Sequence, residues 1–112
     1  MSRVSLNRQL TLEGLDRVPD GAGGFSDSWV TLGTLWAAIQ AGSGREAVEQ
    51  DARTSEVAMR ITVRAAPHGA PSRPKPKQRF REGDRVYLIQ AVTEADPRGR
   101  FLACFAKEEV VA

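Results

Sequence analysis

The sequence predicts a small, mainly β protein: an antiparallel β-barrel or sandwich of five or six strands with one short helix. Apolar and polar residues alternate with a period of two in several segments, which is the pattern of half-buried strands. Pro- and Gly-rich turns separate those segments. The chain has 112 residues, so we expect residues 1–112 to form a single domain with one core. A closed barrel is favoured because it leaves no strand edge exposed.

The first two strands are predicted on either side of a turn-rich stretch. Leu10 and Leu12 share one face of a strand over residues 7–13. Pro and Gly then predict a loop over residues 17–24. The second strand covers residues 29–40. Its later half is apolar on both faces, which predicts a central strand.

A short helix is predicted after this strand, over residues 45–53. Gly42 and Gly44 end the strand, and Ser43 with Glu46 fits a capping box. In that motif the Ser oxygen accepts a backbone N–H and the Glu side chain reaches back to the cap. The helix carries few apolar residues, so we expect it near the surface or against a neighbour.

The second half of the chain contains the clearest strand, over residues 56–64. Four apolar residues face one way and the residues between them face the other: Val57, Met59, Ile61 and Val63. A basic, Pro-rich loop over residues 66–77 is expected to be extended. A short strand near Phe80, a strand over residues 86–92 and a last strand over residues 100–107 follow, joined by tight turns.

Composition argues against catalysis and against a metal centre. The chain has one His and one Cys, so a His/Cys zinc site is close to excluded and an intramolecular disulfide is impossible. His68 falls in the Pro-rich loop, where a general base would lack rigid support. Cys104 lies among apolar strand residues, where a buried thiol is expected rather than a nucleophile. We therefore expect no enzymatic activity and no cofactor.

The targeting signals of secreted and membrane proteins are not found in the sequence. No apolar run is long enough to predict a membrane span. The first residues lack the apolar core of a signal peptide. We therefore expect synthesis in a reducing, cytosolic compartment and no membrane partner.

The net charge of +2 conceals an uneven distribution. Residues 13–56 carry eight acidic and three basic side chains, whereas residues 60–85 carry eight basic and two acidic ones. A basic loop suits phosphate contact through counterion release. An acidic half and a basic half also suit head-to-tail contact between identical subunits. The alternative, that both stretches are ordinary solvated faces, stays open on charge alone.

Aromatic residues are few, and they do not form a base-stacking platform. Trp29 and Trp36 are expected to be core or interface anchors, because Trp36 lies in an apolar run. An RNA-binding barrel would alternate aromatic and basic residues on one strand face. That pattern is missing from the sequence.

Five short motifs occur in a recognisable order between residues 7 and 105. They are Asn7-Arg8-Gln9-Leu10-Thr11-Leu12, a Gly-rich turn to Trp29 followed by Leu35-Trp36-Ala37-Ala38-Ile39, Ser43-Gly44-Arg45-Glu46, Arg60-Ile61-Thr62-Val63-Arg64, and Gly83-Asp84-Arg85-Val86-Tyr87-Leu88-Ile89. Together they resemble the head–tail joining proteins of tailed bacteriophages, also called head-closure or stopper proteins. Related proteins occur in prophages and gene transfer agents. The Pro- and Lys-rich loop is longer than this family leads one to expect, so the resemblance assigns it no role.

The resemblance implies a structural protein whose copies form a homo-oligomeric ring of six- or twelve-fold symmetry. Such a ring would lie in the neck of a virion or phage-like particle, assembled in the bacterial cytoplasm. A portal or adaptor ring would lie above it and a tail terminator or tail tube below it. It would retain packaged double-stranded DNA and provide the tail attachment site.

Three sets of residues are the candidate sites. The resemblance implies a mobile connection over residues 41–55 as a channel gate or inter-subunit segment, with Gly42, Ser43, Gly44, Arg45, Glu46 and Glu49 as its candidate residues. The candidate contacts to DNA or a partner ring are Arg73, Lys75, Lys77 and Arg79. The structural anchors are Trp29 and Trp36. The alternative function is a solitary β-barrel module that binds nucleic acid through the basic Pro-rich loop.

Overall fold

Alternating apolar residues become the inward faces of six antiparallel strands that close into a barrel. The computed structural model describes residues 5–42 and 54–111. Its strands are β1 (Arg8–Pro19), β2 (Phe25–Ala41), β3 (Thr54–Arg64), β4 (Arg79–Glu82), β5 (Arg85–Glu94) and β6 (Phe101–Val111). They pair in the order β1-β2-β3-β6-β5-β4, and β4 pairs again with β1. The mainly β class and the closed barrel are confirmed.

Every strand contributes at least one apolar side chain to the barrel interior. The large side chains that are buried there include Leu10, Leu12, Ile61, Val63, Phe80, Tyr87, Ile89, Leu102 and Cys104. The strand over residues 56–64 has the predicted alternation, with Ile61 and Val63 inside. Cys104 is buried, as predicted, and burial raises the pKa of its thiol to about 12. The thiol therefore stays protonated at neutral pH, which makes it a poor nucleophile.

The predicted helix over residues 45–53 lies outside the described residues. The same holds for five of the six residues of the candidate gate, Ser43, Gly44, Arg45, Glu46 and Glu49. Gly42, the sixth, follows the end of β2, and its N–H donates to the Ala58 carbonyl at 2.6 Å. The residues that the structure does describe contain no helix.

The predicted loop over residues 17–24 is wrong in extent, because β1 and β2 continue towards each other until only residues 20–24 remain as a turn. The Asp20 carboxylate accepts hydrogen bonds from the Ala22 N–H at 2.8 Å and the Gly24 N–H at 3.0 Å. These two bonds hold the pKa of Asp20 below its usual value. An Asp that bonds to the backbone just ahead of it closes a tight turn, so the strands can run up to it.

The later half of β2 is apolar on both faces, but only one of the two faces is buried. Ala37 points into the barrel and is fully buried, and Leu35 and Ile39 pack against the core. Trp36 points outward and leaves 56 % of its surface exposed. A barrel has one interior, so successive residues of a strand alternate between the core and the outer surface.

The Pro-rich loop is a succession of turns rather than an extended polyproline segment. The N–H of Ala70 donates to the Pro67 carbonyl at 3.0 Å, and the N–H of Arg73 donates to the Ala70 carbonyl at 3.0 Å. Pro74 is fully buried. Proline presets the backbone angle that the first central position of a reverse turn requires, so spaced prolines favour turns as readily as extension.

Candidate functional site

Beyond Glu13, β1 and β2 run past the rest of the barrel as a two-stranded arm, which we define as residues 14–30. In the described ladders, β4 pairs with β1 only as far as Glu13, and β3 pairs with β2 only from Ala37 onward. The arm therefore has no third strand. Four of its apolar side chains are exposed: Leu15, Val18, Phe25 and Val30. Exposed apolar surface of this kind marks a contact surface, because an isolated hairpin gains little stability from it in water.

A bulge marks the point where the arm begins. Leu12 pairs with Gly33 and Glu13 pairs with Thr31, so Leu32 is an extra residue in β2. A bulge bends its strand and increases the local twist. The direction of the arm relative to the barrel is therefore built into the register of β1 and β2.

A buried ionic cluster joins the base of the arm to β4. Glu13 is only 6 % exposed, and its carboxylate accepts hydrogen bonds from Arg79 Nε at 2.6 Å and from Arg81 Nη1 at 3.4 Å. The Arg79 guanidinium lies 4.0 Å from the centre of the Trp29 ring. Trp29 thus contacts β4 from the arm strand. Sequence reasoning had no signal for Glu13, whose partners lie 66 and 68 positions away.

Two further arginines, Arg85 in the basic stretch and Arg8 in β1, are also paired with carboxylates. Arg85 donates from Nε and Nη2 to Glu108 at 2.7 and 2.9 Å, and this contact raises the pKa of Arg85. Arg8 Nε donates to Glu82 at 2.8 Å, which holds the pKa of Glu82 below its usual value. Arg79, Arg81 and Arg85 therefore form ion pairs within the barrel. The basic stretch thus offers fewer free cations than its net charge suggests.

The outer surface of β2, β3 and β6 carries a second candidate contact surface. Directly opposite pairs place Arg60 beside Phe105 and Arg64 beside Phe101. Each guanidinium lies over its ring, at 5.8 and 5.7 Å from the ring centre. Trp36 lines one shallow depression together with Arg64 and Phe101. We call these five residues the Arg/aromatic face.

The four candidate DNA contacts have different surroundings. Arg79 has its intramolecular partners Glu13 and Trp29, and Arg73 Nη1 donates to the Ala66 carbonyl at 2.6 Å, within the loop. Lys75 and Lys77 are exposed. In the part of the chain that the structure describes, their ammonium groups have no hydrogen-bond or ion-pair partner. The structure thus leaves two of the four cations free.

Lys77 has a backbone conformation that side chains rarely adopt. Its φ is +75°, and it stands after Pro76 in a turn closed by the Gln78 N–H, which donates to the Lys75 carbonyl at 3.2 Å. A glycine would fill this position without strain, whereas a residue with a Cβ costs about 1 kcal/mol or more. A lysine held at such a position points to a use for its side chain.

Three other kinds of candidate site are a metal-binding cluster, a membrane-spanning helix and the single histidine. Within residues 5–42 and 54–111, no cluster of three or more His, Cys, Asp or Glu side chains could hold a metal ion. No helix in those residues is both long and apolar enough to cross a membrane. His68 lies at an exposed turn of the Pro-rich loop.

Comparison with known proteins gives two related results. A family model described as phage head completion protein matches residues 1–109. The chain is also 51 % identical to a chain in a structure of the virion of a native gene transfer agent particle. That match covers 98 % of this chain and 100 % of the other, with a TM-score of 0.84.

Two further results concern the fold and the curated proteins. The solution structure of protein SF1141 from Shigella flexneri 2a is 23 % identical and covers 96 % of both chains, with a TM-score of 0.69. At that identity the similarity shows a common fold alone. No curated protein matches the chain.

Proposed function

The chain belongs to the phage head completion protein family, and on that premise we propose that it is a structural head–tail connector of a phage or gene transfer agent particle. The observation that carries the proposal is 51 % identity over essentially the whole chain to a protein of a gene transfer agent virion. The closed barrel with two exposed contact surfaces supports a structural role.

The connector acts as a ring that lies between a portal or adaptor and the tail. The presence of two different contact surfaces on one chain supports this. When two unlike surfaces of identical subunits meet, the contact is heterologous, and it closes into a ring where the rotation allows. The arm and the Arg/aromatic face are such a pair of surfaces. A ring of six or twelve copies would match the symmetry expected of a neck.

Lys75 and Lys77 contact the phosphates of the packaged DNA. Both are exposed and free of partners among the described residues, and Lys77 occupies a strained position that a glycine would fill at lower cost. Lysine makes phosphate contacts as a point charge, without the fixed geometry that arginine needs. Arg73 shapes the loop that presents the two lysines, and Arg79 stabilises the base of the arm.

A particle-producing strain that lacks this gene tests the proposal. The expected product is DNA-filled heads without tails, together with free tails, and the wild-type gene supplied in trans restores tailed particles. Normal tailed particles from the deletion strain would contradict the head–tail role.

The DNA contact needs a separate variant in the same strain. Lys75→Gln with Lys77→Gln should restore tails but reduce the nuclease-protected DNA per particle. Arg98→Gln, which removes an exposed charge from another turn, is the matched control and should retain DNA as the wild type does. Equal DNA retention by both variants would remove the lysines from the proposal. If the purified protein binds DNA in a salt-sensitive way and the deletion strain still makes normal tailed particles, the solitary nucleic-acid-binding module is favoured instead.

A further inference from the structure

We infer that the arm of one copy binds the Arg/aromatic face of the next copy, so that each subunit is both donor and acceptor in the ring. The inference rests on the proposed ring and names the two surfaces that form its contact. It commits to one occupant for the exposed face of β2, β3 and β6, namely the arm of a second copy of this chain.

The arm presents its largest exposed side chains on one side. The register pairs Leu15 with Trp29 and Pro19 with Phe25, so these four side chains point the same way. Leu15 is 52 % exposed and Phe25 is 61 % exposed. Since no third strand covers this side of the arm in the described structure, the apolar surface becomes buried only against another surface.

The charge of the arm is opposite to that of the face. Residues 14–30 contain Asp16, Asp20 and Asp27 against one basic residue, Arg17. Asp27 lies 3.9 Å from Arg17, and both side chains are more than half exposed, so this pair contributes little and its carboxylate can change partner. The arm as a whole therefore has a net negative charge, and Asp27 is the strand carboxylate on the side of Leu15 and Phe25, next to Arg17.

The five residues that define the Arg/aromatic face include two arginines and no carboxylate. The outward positions of β2, β3 and β6 that surround it are Trp36, Ala38, Gln40, Ala58, Arg60, Thr62, Arg64, Phe101, Ala103, Phe105 and Lys107. The guanidinium groups of Arg60 and Arg64 lie over the rings of Phe105 and Phe101. Among the described residues these two groups have no carboxylate partner. A guanidinium fork without a carboxylate can accept an Asp side chain as its partner.

The composition of both surfaces is that of a protein interface core. Aromatic residues and arginine are enriched at interfaces and account for most binding energy, whereas a DNA-binding face would carry a larger excess of cations. The small pair Thr62 and Ala103 lies between the two arginine–ring pairs. Ala103 is fully buried, so side chains around it already cover this position, and the arginine–ring pairs on either side form the contact surface.

Disulfide trapping in particles tests the contact. Arg17→Cys places a thiol on the same side of the arm as Leu15 and Phe25, and Thr62→Cys places one in the middle of the face, while Cys104 is buried and stays unreactive. The double variant, supplied to the deletion strain and oxidised in purified particles, should run on a non-reducing gel as a ladder of multimers. Asp84→Cys with Thr62→Cys, in which the first thiol lies at the β4–β5 turn, is the matched control and should remain monomeric.

Each outcome of the trapping experiment has one meaning. A ladder that reaches beyond the dimer supports the head-to-tail contact. A ladder that stops at the dimer means that two copies exchange arms, and it overturns the inference. Tailed particles without any cross-link also overturn it but leave the proposed head–tail function intact. If the deletion strain makes normal tailed particles, the proposed function itself is wrong.

A charge reversal provides an independent measurement. Asp27→Arg should abolish the ladder, and adding Arg60→Glu and Arg64→Glu to the same chain should restore it. Asp84→Arg, which reverses an exposed acid outside both surfaces, should leave the ladder unchanged. Thermal unfolding of each purified variant checks that it folds. Loss of the ladder without restoration by the compensating changes, in variants that fold, would contradict the pairing of these surfaces.

Discussion

The barrel and the arm share the strands β1 and β2, yet they are stabilised in different ways. Within the barrel, Leu10 and Leu12 are fully buried, whereas Val18, on the same face of β1 six residues beyond Leu12, is 41 % exposed. The alternation of the strand continues across the boundary, but the layer that would cover it ends. The difference shows that an apolar residue in a strand indicates a surface that becomes buried. The burial can come from the same chain or from a second one.

The largest difference between the two regions should appear on truncating a phenylalanine in each. Phe80 is fully buried in the barrel, so Phe80→Ala should lower the free energy of unfolding by about 4 kcal/mol, through lost burial and a cavity. Phe25→Ala in the arm should cost less than about 0.5 kcal/mol for the monomer. Urea unfolding at a concentration where the protein is monomeric measures both. Similar costs would mean that the arm is packed in the monomer.

The ionic contacts of the two regions should differ almost as much. Glu13→Gln removes a buried carboxylate that bonds to Arg79 and to the half-exposed Arg81, and the loss of these charge-assisted hydrogen bonds should cost about 2 kcal/mol. Asp27→Asn, which breaks the exposed pair with Arg17, should cost no more than about 0.5 kcal/mol. The same urea titration compares them. A Glu13→Gln variant as stable as the wild type would show that the cluster does not stabilise the base of the arm.

The barrel interior contains one polar atom that should weaken it. The hydroxyl of Tyr87 is buried and has no hydrogen-bond partner among the described residues, and burial raises the pKa of Tyr87. Tyr87→Phe removes the unpaired hydroxyl and keeps the ring, so it should raise the free energy of unfolding by about 1 kcal/mol. Thermal and urea unfolding would detect the gain. A clear loss of stability would show that the hydroxyl has a bound partner.

The smallest expected effect is a dependence on acid pH at the edge of the barrel. Hydrogen bonding to Arg8 holds the pKa of Glu82 below its usual value. The stabilisation is therefore complete above the unfolded-state pKa of about 4.3 and is lost as the pH falls through the lower folded-state pKa. Glu82→Gln should remove about 1 kcal/mol of stability at pH 7 and reduce the loss between pH 5 and 3. Unfolding measured across this range, with Asp27→Asn as the arm control, tests the sign; an unchanged slope would contradict it.

Local patterns predicted the strands and the barrel because both depend on alternation, turn residues and chain length. The same patterns did not distinguish the exposed Trp36 from the buried Ala37 beside it, and they gave no sign that Leu15 is exposed. Whether an apolar residue is covered depends on which strands lie beside it, and alternation does not contain that information. The exposed arm was therefore predicted only as part of a strand and a loop.

The charged residues were harder to interpret than the strands. Arg79 was a candidate DNA contact because it belongs to a basic stretch, but its partner Glu13 precedes it by 66 positions. Only the pairing of β1 with β4 brings the two together. Lys75 and Lys77 remain predicted contacts, and the left-handed backbone of Lys77 is a feature that a Pro-Lys-Gln sequence does not reveal. The gate over residues 41–55 stays a prediction.

The long second strand also has a mechanical consequence. β2 runs for 17 residues from the turn at the arm tip to the far end of the barrel. Tension applied along the arm enters the barrel through two ladders, three residue pairs between β1 and β4 and five between β2 and β3. Antiparallel hydrogen bonds lie perpendicular to their strands, so a pull along the strand loads them in shear, all at once rather than one after another. The arm can thus transmit tension to the barrel without its hydrogen bonds breaking one by one from the tip.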